Sequence, residues 1–168
     1  MKKARAFTLI EILVVVVLLG ILAGVVLPHI AKGAISARES ALGSDLQMLR
    51  RYVLIYKAQH KEVAPGYPNG DTTQAPTQQA FLDQMMLSSD SDGNTAAVGT
   101  AGFPRGPYLM RMPVNPLNNK DTLEPLADGV AFPANGDNSH GWIYKAATAE
   151  IRADCSGSND AGKLYYDY

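Results

Sequence analysis

Cysteine is nearly missing from this chain of 168 residues: Cys155 is the only one. No intrachain disulfide can form, and the lone thiol reads as a partly buried small side chain rather than an intermolecular bridge. An excess of positive charge is missing too. Lys and Arg number 15 against 16 Asp and Glu, for a formal net charge of −1. Such a chain has no electrostatic footprint for nucleic acid. Catalytic motifs are also lacking: there is no Gly-rich phosphate loop, no His-Glu-x-x-His and no Gly-x-Ser-x-Gly. His29, His60 and His140 are the only histidines. The first two would lie roughly 45 Å apart along one helix, so they cannot share a metal within a subunit. These absences point away from an enzyme.

Charge is scarce as well in the stretch that dominates the sequence. Residues 7–28, FTLIEILVVVVLLGILAGVVLP, are almost entirely apolar and carry one acid, Glu11. About twenty apolar residues suffice for a helix to cross a bilayer. Lys2, Lys3 and Arg5 precede the stretch, and such a flank stays in the cytoplasm and directs the rest of the chain outward. A carboxylate inside hydrocarbon costs several kcal/mol and is a functional hypothesis by default. Two sources of positive charge are within reach of Glu11. One is the basic flank at the headgroups. The other arises only if the chain is cut after Ala6, which would leave a cationic α-amine on Phe7. Within one subunit that amine folds toward its own Glu11; in an assembly it meets the Glu11 of a neighbour and specifies the stagger, because a mismatched register leaves a charge buried alone.

A short basic leader, a small residue, then Phe7-Thr8-Leu9-Ile10-Glu11 and a long apolar helix resembles the prepilin signal shared by type IV pilins and the pseudopilins of type II secretion. Pro28 falls where the family helix usually has a proline. The resemblance implies cleavage between Ala6 and Phe7 by a membrane prepilin peptidase, N-methylation of Phe7, and assembly with copies of itself into a helical filament. The family usually has Gly before the cut; Ala6 is the nearest substitute in size, and cleavage is still expected. Two plainer readings fit less well. A secretory signal peptide has an apolar core of roughly 7 to 15 residues, shorter than this one, and a single-span anchor explains neither the acid nor the FTLIE string.

Beyond Pro28, which should kink the helix, Ile35, Leu42, Leu46, Leu49, Val53 and Tyr56 form one apolar stripe of an amphipathic helix. Lys32, Ser36, Arg38, Glu39, Ser40, Ser44, Asp45, Arg50, Arg51 and Lys57 occupy the other face and read as solvated. Gly20 and Gly24 have the spacing that permits close helix packing in an apolar helix. The helix is expected from about Thr8 to Lys61, roughly 80 Å, and the breakers of 64–70 end it. Residues 77–87 read as a short helix with Thr77 as cap and Phe81, Leu82, Met85 and Met86 buried. Residues 88–94 read as a solvated loop; Asp90, Asp92 and Asn94 alternate like calcium donors, but the closing Glu of an EF-hand is missing. Residues 141–145 and 150–154 read as a hairpin, with Trp142, Tyr144 and Ile151 packing on the helix stripe. Residues 163–168 read as a last strand or an aromatic tail that completes the core.

The segment 106–119 (GPYLMRMPVNPLNN) resembles a stretch of the major pseudopilin of type II secretion. That resemblance implies a calcium site in the following loops. Asp128, Asp137, Asn138 and Asp154 supply oxygens there, in a spacing that fits no pattern. The fold expected is α+β: a long N-terminal helix, partly transmembrane, packed on a small C-terminal antiparallel sheet domain. Its parts are a leader 1–6, a membrane and filament-core helix 7–28, an amphipathic continuation 29–64 and a head 65–168. The function expected is a structural subunit of a type II secretion pseudopilus, anchored in the bacterial inner membrane with its head in the periplasm. Its implied partners are other copies, the prepilin peptidase, an inner-membrane assembly platform, minor pseudopilins and lipid. A type IV pilus subunit and a membrane-anchored enzyme or binding module are the alternatives; a tether would tolerate Glu11→Leu, whereas a filament subunit would not.

Overall fold

The structure, a computed structural model, describes residues 8–168; for Val25, Leu27, Pro28 and Ala31 it describes the helical backbone alone. Ala6, Phe7 and the cut expected between them lie outside the described residues. The chain divides into two compact units, Met1–Arg38 and Glu39–Tyr168. One helix, α1 (Leu9–Gln59), contributes to both. It continues through Pro28 without a break in the helical pattern. It ends two residues before Lys61 because Lys61 and Glu62 both take positive φ, 54° and 62°, a region outside the right-handed helix.

In the first unit every residue whose side chain is described, across positions 8–38, is exposed. Ile35 belongs with these at 49% exposure, so the buried stripe begins only at Leu42. Among the described residues, no helix is long and apolar enough to cross a membrane. The expected span 7–28 includes Phe7, Val25, Leu27 and Pro28, so the uninterrupted described part covers only residues 8–24.

The second unit is closed around the rest of the stripe. Leu42, Leu46, Leu49, Val53 and Tyr56 are buried against Phe81, Met85, Trp142, Tyr144 and Ile151. Burying each Leu contributes on the order of 2 kcal/mol. Helix α2 (Gln78–Met86) starts at Thr77, whose side chain accepts from the Ala80 N–H. Its buried face is Phe81, Gln84 and Met85, with Leu82 and Met86 only half-buried.

Strands β1 (Ser88–Ser89) and β2 (Thr95–Ala96) pair antiparallel and close the 88–94 loop. The main sheet holds β3 (Leu123–Leu126), β4 (Trp142–Lys145) and β5 (Glu150–Ala153), in that order. The pair β4–β5 is the expected hairpin, with Trp142 opposite Ala153 and Tyr144 opposite Ile151. The pair β3–β4 is parallel, Leu123 opposite Trp142, so the sheet is mixed rather than purely antiparallel. The segment 127–141 is the long crossover that a parallel pair requires. Pro125 sits in β3, an edge strand, where a missing N–H donor is tolerated. The tail forms a 3-10 turn, Tyr165–Asp167, rather than a strand, and Tyr166 is buried with Leu126 and Ile143.

Candidate assembly site

The start of α1 is built by two residues of the FTLIE string. Glu11 Oε2 accepts from the Thr8 backbone N–H at 2.8 Å and from Thr8 Oγ1 at 2.9 Å. The Glu11 N–H donates back to Thr8 Oγ1 at 3.3 Å. This is a reciprocal capping box, which satisfies the otherwise orphaned donors of a first helical turn. The carboxylate also lies at the positive end of the helix dipole. The Thr-x-x-Glu spacing that announces such a box is legible in the sequence at Thr8 and Glu11. Pro28 continues α1 as backbone.

The head is held by polar groups that the hydrophobic pattern does not reveal. His60 is 2% exposed and stacks on Tyr56 with ring centroids 3.7 Å apart. Its Nδ1 lies 2.7 Å from the Tyr56 carbonyl and its Nε2 2.9 Å from Ser89 Oγ. A carbonyl only accepts, so the proton sits on Nδ1 and Ser89 donates to Nε2. Burial holds the His60 pKa below its usual value; Arg105 acts in the same direction, and the Tyr56 carbonyl and Asp90 oppose it. Ser88 and Ser89, read from sequence as a solvated loop, are buried.

Two residues read as solvated tie the tail down instead. The Arg50 guanidinium donates to the carbonyls of Tyr168 at 3.0 Å and Ile151 at 3.2 Å. Glu39 accepts from the Tyr165 hydroxyl at 2.9 Å. Cys155 is buried, and burial pushes its thiol pKa up.

The residues named for calcium are engaged by protein donors. Both carboxylate oxygens of Asp128 take the Tyr67 hydroxyl, at 2.8 and 2.9 Å. Asp154, wholly buried, accepts from the Asp137 N–H at 2.8 Å on Oδ1. Its Oδ2 accepts from the His140 N–H at 2.7 Å and Ser139 Oγ at 3.0 Å. Asp137 Oδ1 takes the Ser139 N–H at 2.8 Å and Asn138 Oδ1 the Ser156 N–H at 3.2 Å. Their partners are N–H and O–H groups, which satisfy oxygens without a metal. Among the described residues no three His, Cys, Asp or Glu side chains are placed to hold an ion. In the 88–94 loop, Asp90 likewise accepts from the Asp92 and Asn94 N–H groups and the Asn94 amide.

The prokaryotic N-terminal methylation motif matches residues 1–27. The chain is 32% identical to type II secretion system core protein G of Klebsiella pneumoniae over 116 residues, covering 69% of this chain and 71% of that one. It is 31% identical to the same protein of Aeromonas hydrophila, covering 70% and 71%. With that of Pseudomonas aeruginosa the identity is 28%, over 79% and 80%. No solved structure matches significantly. These likenesses extend well beyond the 27 residues that the methylation motif covers, and on that ground the chain belongs to the family of type II secretion system core protein G, the major pseudopilins.

Proposed function

We propose that this pseudopilin is cut between Ala6 and Phe7, methylated at Phe7, and drawn from the bacterial inner membrane into a periplasmic helical filament that supports protein secretion. The role is structural, not catalytic. One observation supports it most: every described side chain over 8–38 is exposed, and the first half of that run is apolar all round. A surface of that kind is not left in water; it needs a lipid or protein partner. In this reading residues 7–28 lie in lipid before assembly and among neighbouring helices afterward, with 29–64 and 65–168 on the periplasmic side. A Cβ added at Gly20 or Gly24 would meet nothing within 4 Å, which leaves that backbone face open to a helix of another copy.

Glu11 has a double task in this reading. Among the described residues only its Oε2 is engaged, by Thr8. In an assembly Oε1 takes the α-amine of Phe7 on a neighbouring copy, and the pair sets the stagger. The prepilin peptidase, an assembly platform in the inner membrane and minor pseudopilins complete the set of partners.

Two measurements test the proposal. Intact mass of the protein from its native membrane is expected to give a chain starting at Phe7 with one added methyl; a chain retaining residues 1–6 would sink the processing step. Glu11→Leu is expected to be inserted and cut normally, yet to yield no filament by electron microscopy. Normal filaments from that variant would leave residues 7–28 as a plain anchor.

A further inference from the structure

In the loops where the family resemblance implies calcium, five backbone carbonyls are taken by donors from one short turn, 115–120. The Lys120 ammonium donates to the carbonyl oxygens of Asn138 at 2.8 Å and Ser139 at 2.9 Å. The Asn118 amide donates to those of His140 at 2.6 Å and Asp154 at 2.8 Å. Asn115, wholly buried, donates to the Gly141 carbonyl at 2.8 Å. Five successive or facing carbonyls of the 138–141 loop and of β5's exit are thus taken by three side chains.

The turn that delivers these donors is itself locked. The Asn115 N–H donates to the Lys120 carbonyl and the Asn119 N–H to the Asn115 carbonyl, each at 2.8 Å. Asn115 Oδ1 accepts from the Leu117 N–H, and Asn118 Oδ1 from the Lys120 N–H, each at 3.0 Å. The turn also approaches the loop closely: a Cβ at Gly141 would overlap the Lys120 carbonyl. On the loop's other side the Asp154 carboxylate takes the N–H groups of Asp137 and His140. A divalent ion cross-links a loop by gathering carbonyl and carboxylate oxygens. Here an exposed ammonium and two amides gather the carbonyls, and backbone N–H groups satisfy the carboxylate.

We propose that the 115–120 turn serves as a built-in clamp in place of a divalent cation, with Lys120, Asn118 and Asn115 holding the 137–141 loop, so that the head folds and stays folded without calcium. The inference concerns the folded head and stands apart from the filament reading.

The test uses the full chain in detergent, with thermal unfolding followed through the buried Trp142. In excess EGTA and in millimolar calcium chloride the melting temperature is expected to be the same within about a degree. An ion bound at a hundred times its Kd would raise it by about 5–10 °C, and a rise of that size overturns the proposal. In the same protein Lys120→Met is expected to speed amide exchange at Ser139 and His140 by about tenfold, the loss of charge-assisted hydrogen bonds, with calcium restoring nothing. Unchanged exchange in a folded Lys120→Met chain also overturns it. The calcium comparison on the unaltered chain decides the matter even where the variant fails to fold.

Discussion

Gln84 offers the sharpest test of how the head is held. Its side chain is 1% exposed and faces three backbone groups. Oε1 accepts from the Gly66 N–H at 2.7 Å, and Nε2 donates to the carbonyls of Tyr67 at 2.8 Å and Gly93 at 3.1 Å. It thereby joins α2 to the segment after α1 and to the loop between β1 and β2. Gly66, Tyr67 and Gly93 are themselves buried, so water does not replace the lost partner. Gln84→Met keeps the length and apolar stem of the side chain and removes all three bonds. One buried group left unsatisfied costs about 1–3 kcal/mol. The three relax together, so a total of about 3–5 kcal/mol is expected, and the melting temperature falls by roughly 6–20 °C for a chain of this size. Gln84→Glu separates the donors from the acceptor: it preserves the bond from Gly66 but turns a carboxylate on two carbonyls. At neutral pH it is expected to be at least as harmful as Met, and to recover as acid protonates it. The assay is thermal and urea unfolding of the full chain in detergent by circular dichroism. A Gln84→Met chain within about 1 kcal/mol of the original would refute the reasoning, since three buried backbone groups would then have found other partners.

Three further outcomes follow from the buried and half-buried polar groups. The His60 pKa is lowered in the folded head, so the unfolded chain binds the proton more readily; stability is expected to be complete above about pH 6.5 and to fall as the pH drops from there toward the folded value. His60→Phe is expected to remove that slope, and a wild-type urea midpoint that holds flat or rises from pH 6.5 to 5.5 relative to the variant would contradict it. Cys155, buried and with its thiol pKa raised, should react with an aromatic disulfide reagent only on unfolding; rapid native labelling would contradict the packing described. Arg50→Met should cost about 1–3 kcal/mol through the two carbonyls it leaves and speed amide exchange at Tyr168 first, and exchange rates there equal to the original would show that the tail is held by other contacts.

The stripe of α1 was legible because period 3.6 and large apolar residues coincide, and Leu42 to Tyr56 are buried as that pattern requires. The β4–β5 hairpin was legible for the same kind of reason: two short β-rich runs around a turn. Strand β3 was not, because Pro125 in a four-residue run argues against a strand unless its place at the sheet edge is known. Gln84 is a polar residue between Phe81 and Met85, and only the backbone groups it meets, distant in sequence, explain its burial. Ser88, Ser89 and His60 share that difficulty. The polar network that fixes the head is made of long-range pairs, and sequence periodicity reports only which side of an element is apolar. The capping box is the exception, since its two members are three residues apart.

That box changes how Glu11 must be tested. Glu11→Leu removes a helix cap and a charge at once, and a loss of filaments alone does not say which mattered. The magnitudes separate them. An N-terminal cap is worth about 0.5–2 kcal/mol, too little to abolish an assembly that buries a whole apolar half-helix. A misplaced carboxylate in hydrocarbon costs about 2.5–3.5 kcal/mol on insertion scales, and in a filament that penalty recurs at every subunit out of register. Glu11→Gln is the discriminating variant. Gln is as good as Glu at the third position of a capping box, so the bond to Thr8 survives while the charge is gone. If the carboxylate sets the stagger against a neighbour's amine, Glu11→Gln chains should be cut and inserted normally but assemble poorly, because the amine then lies unpaired in the filament core. If Glu11 acts only as a cap, Glu11→Gln filaments should match the original in number and length, and the register argument would be abandoned.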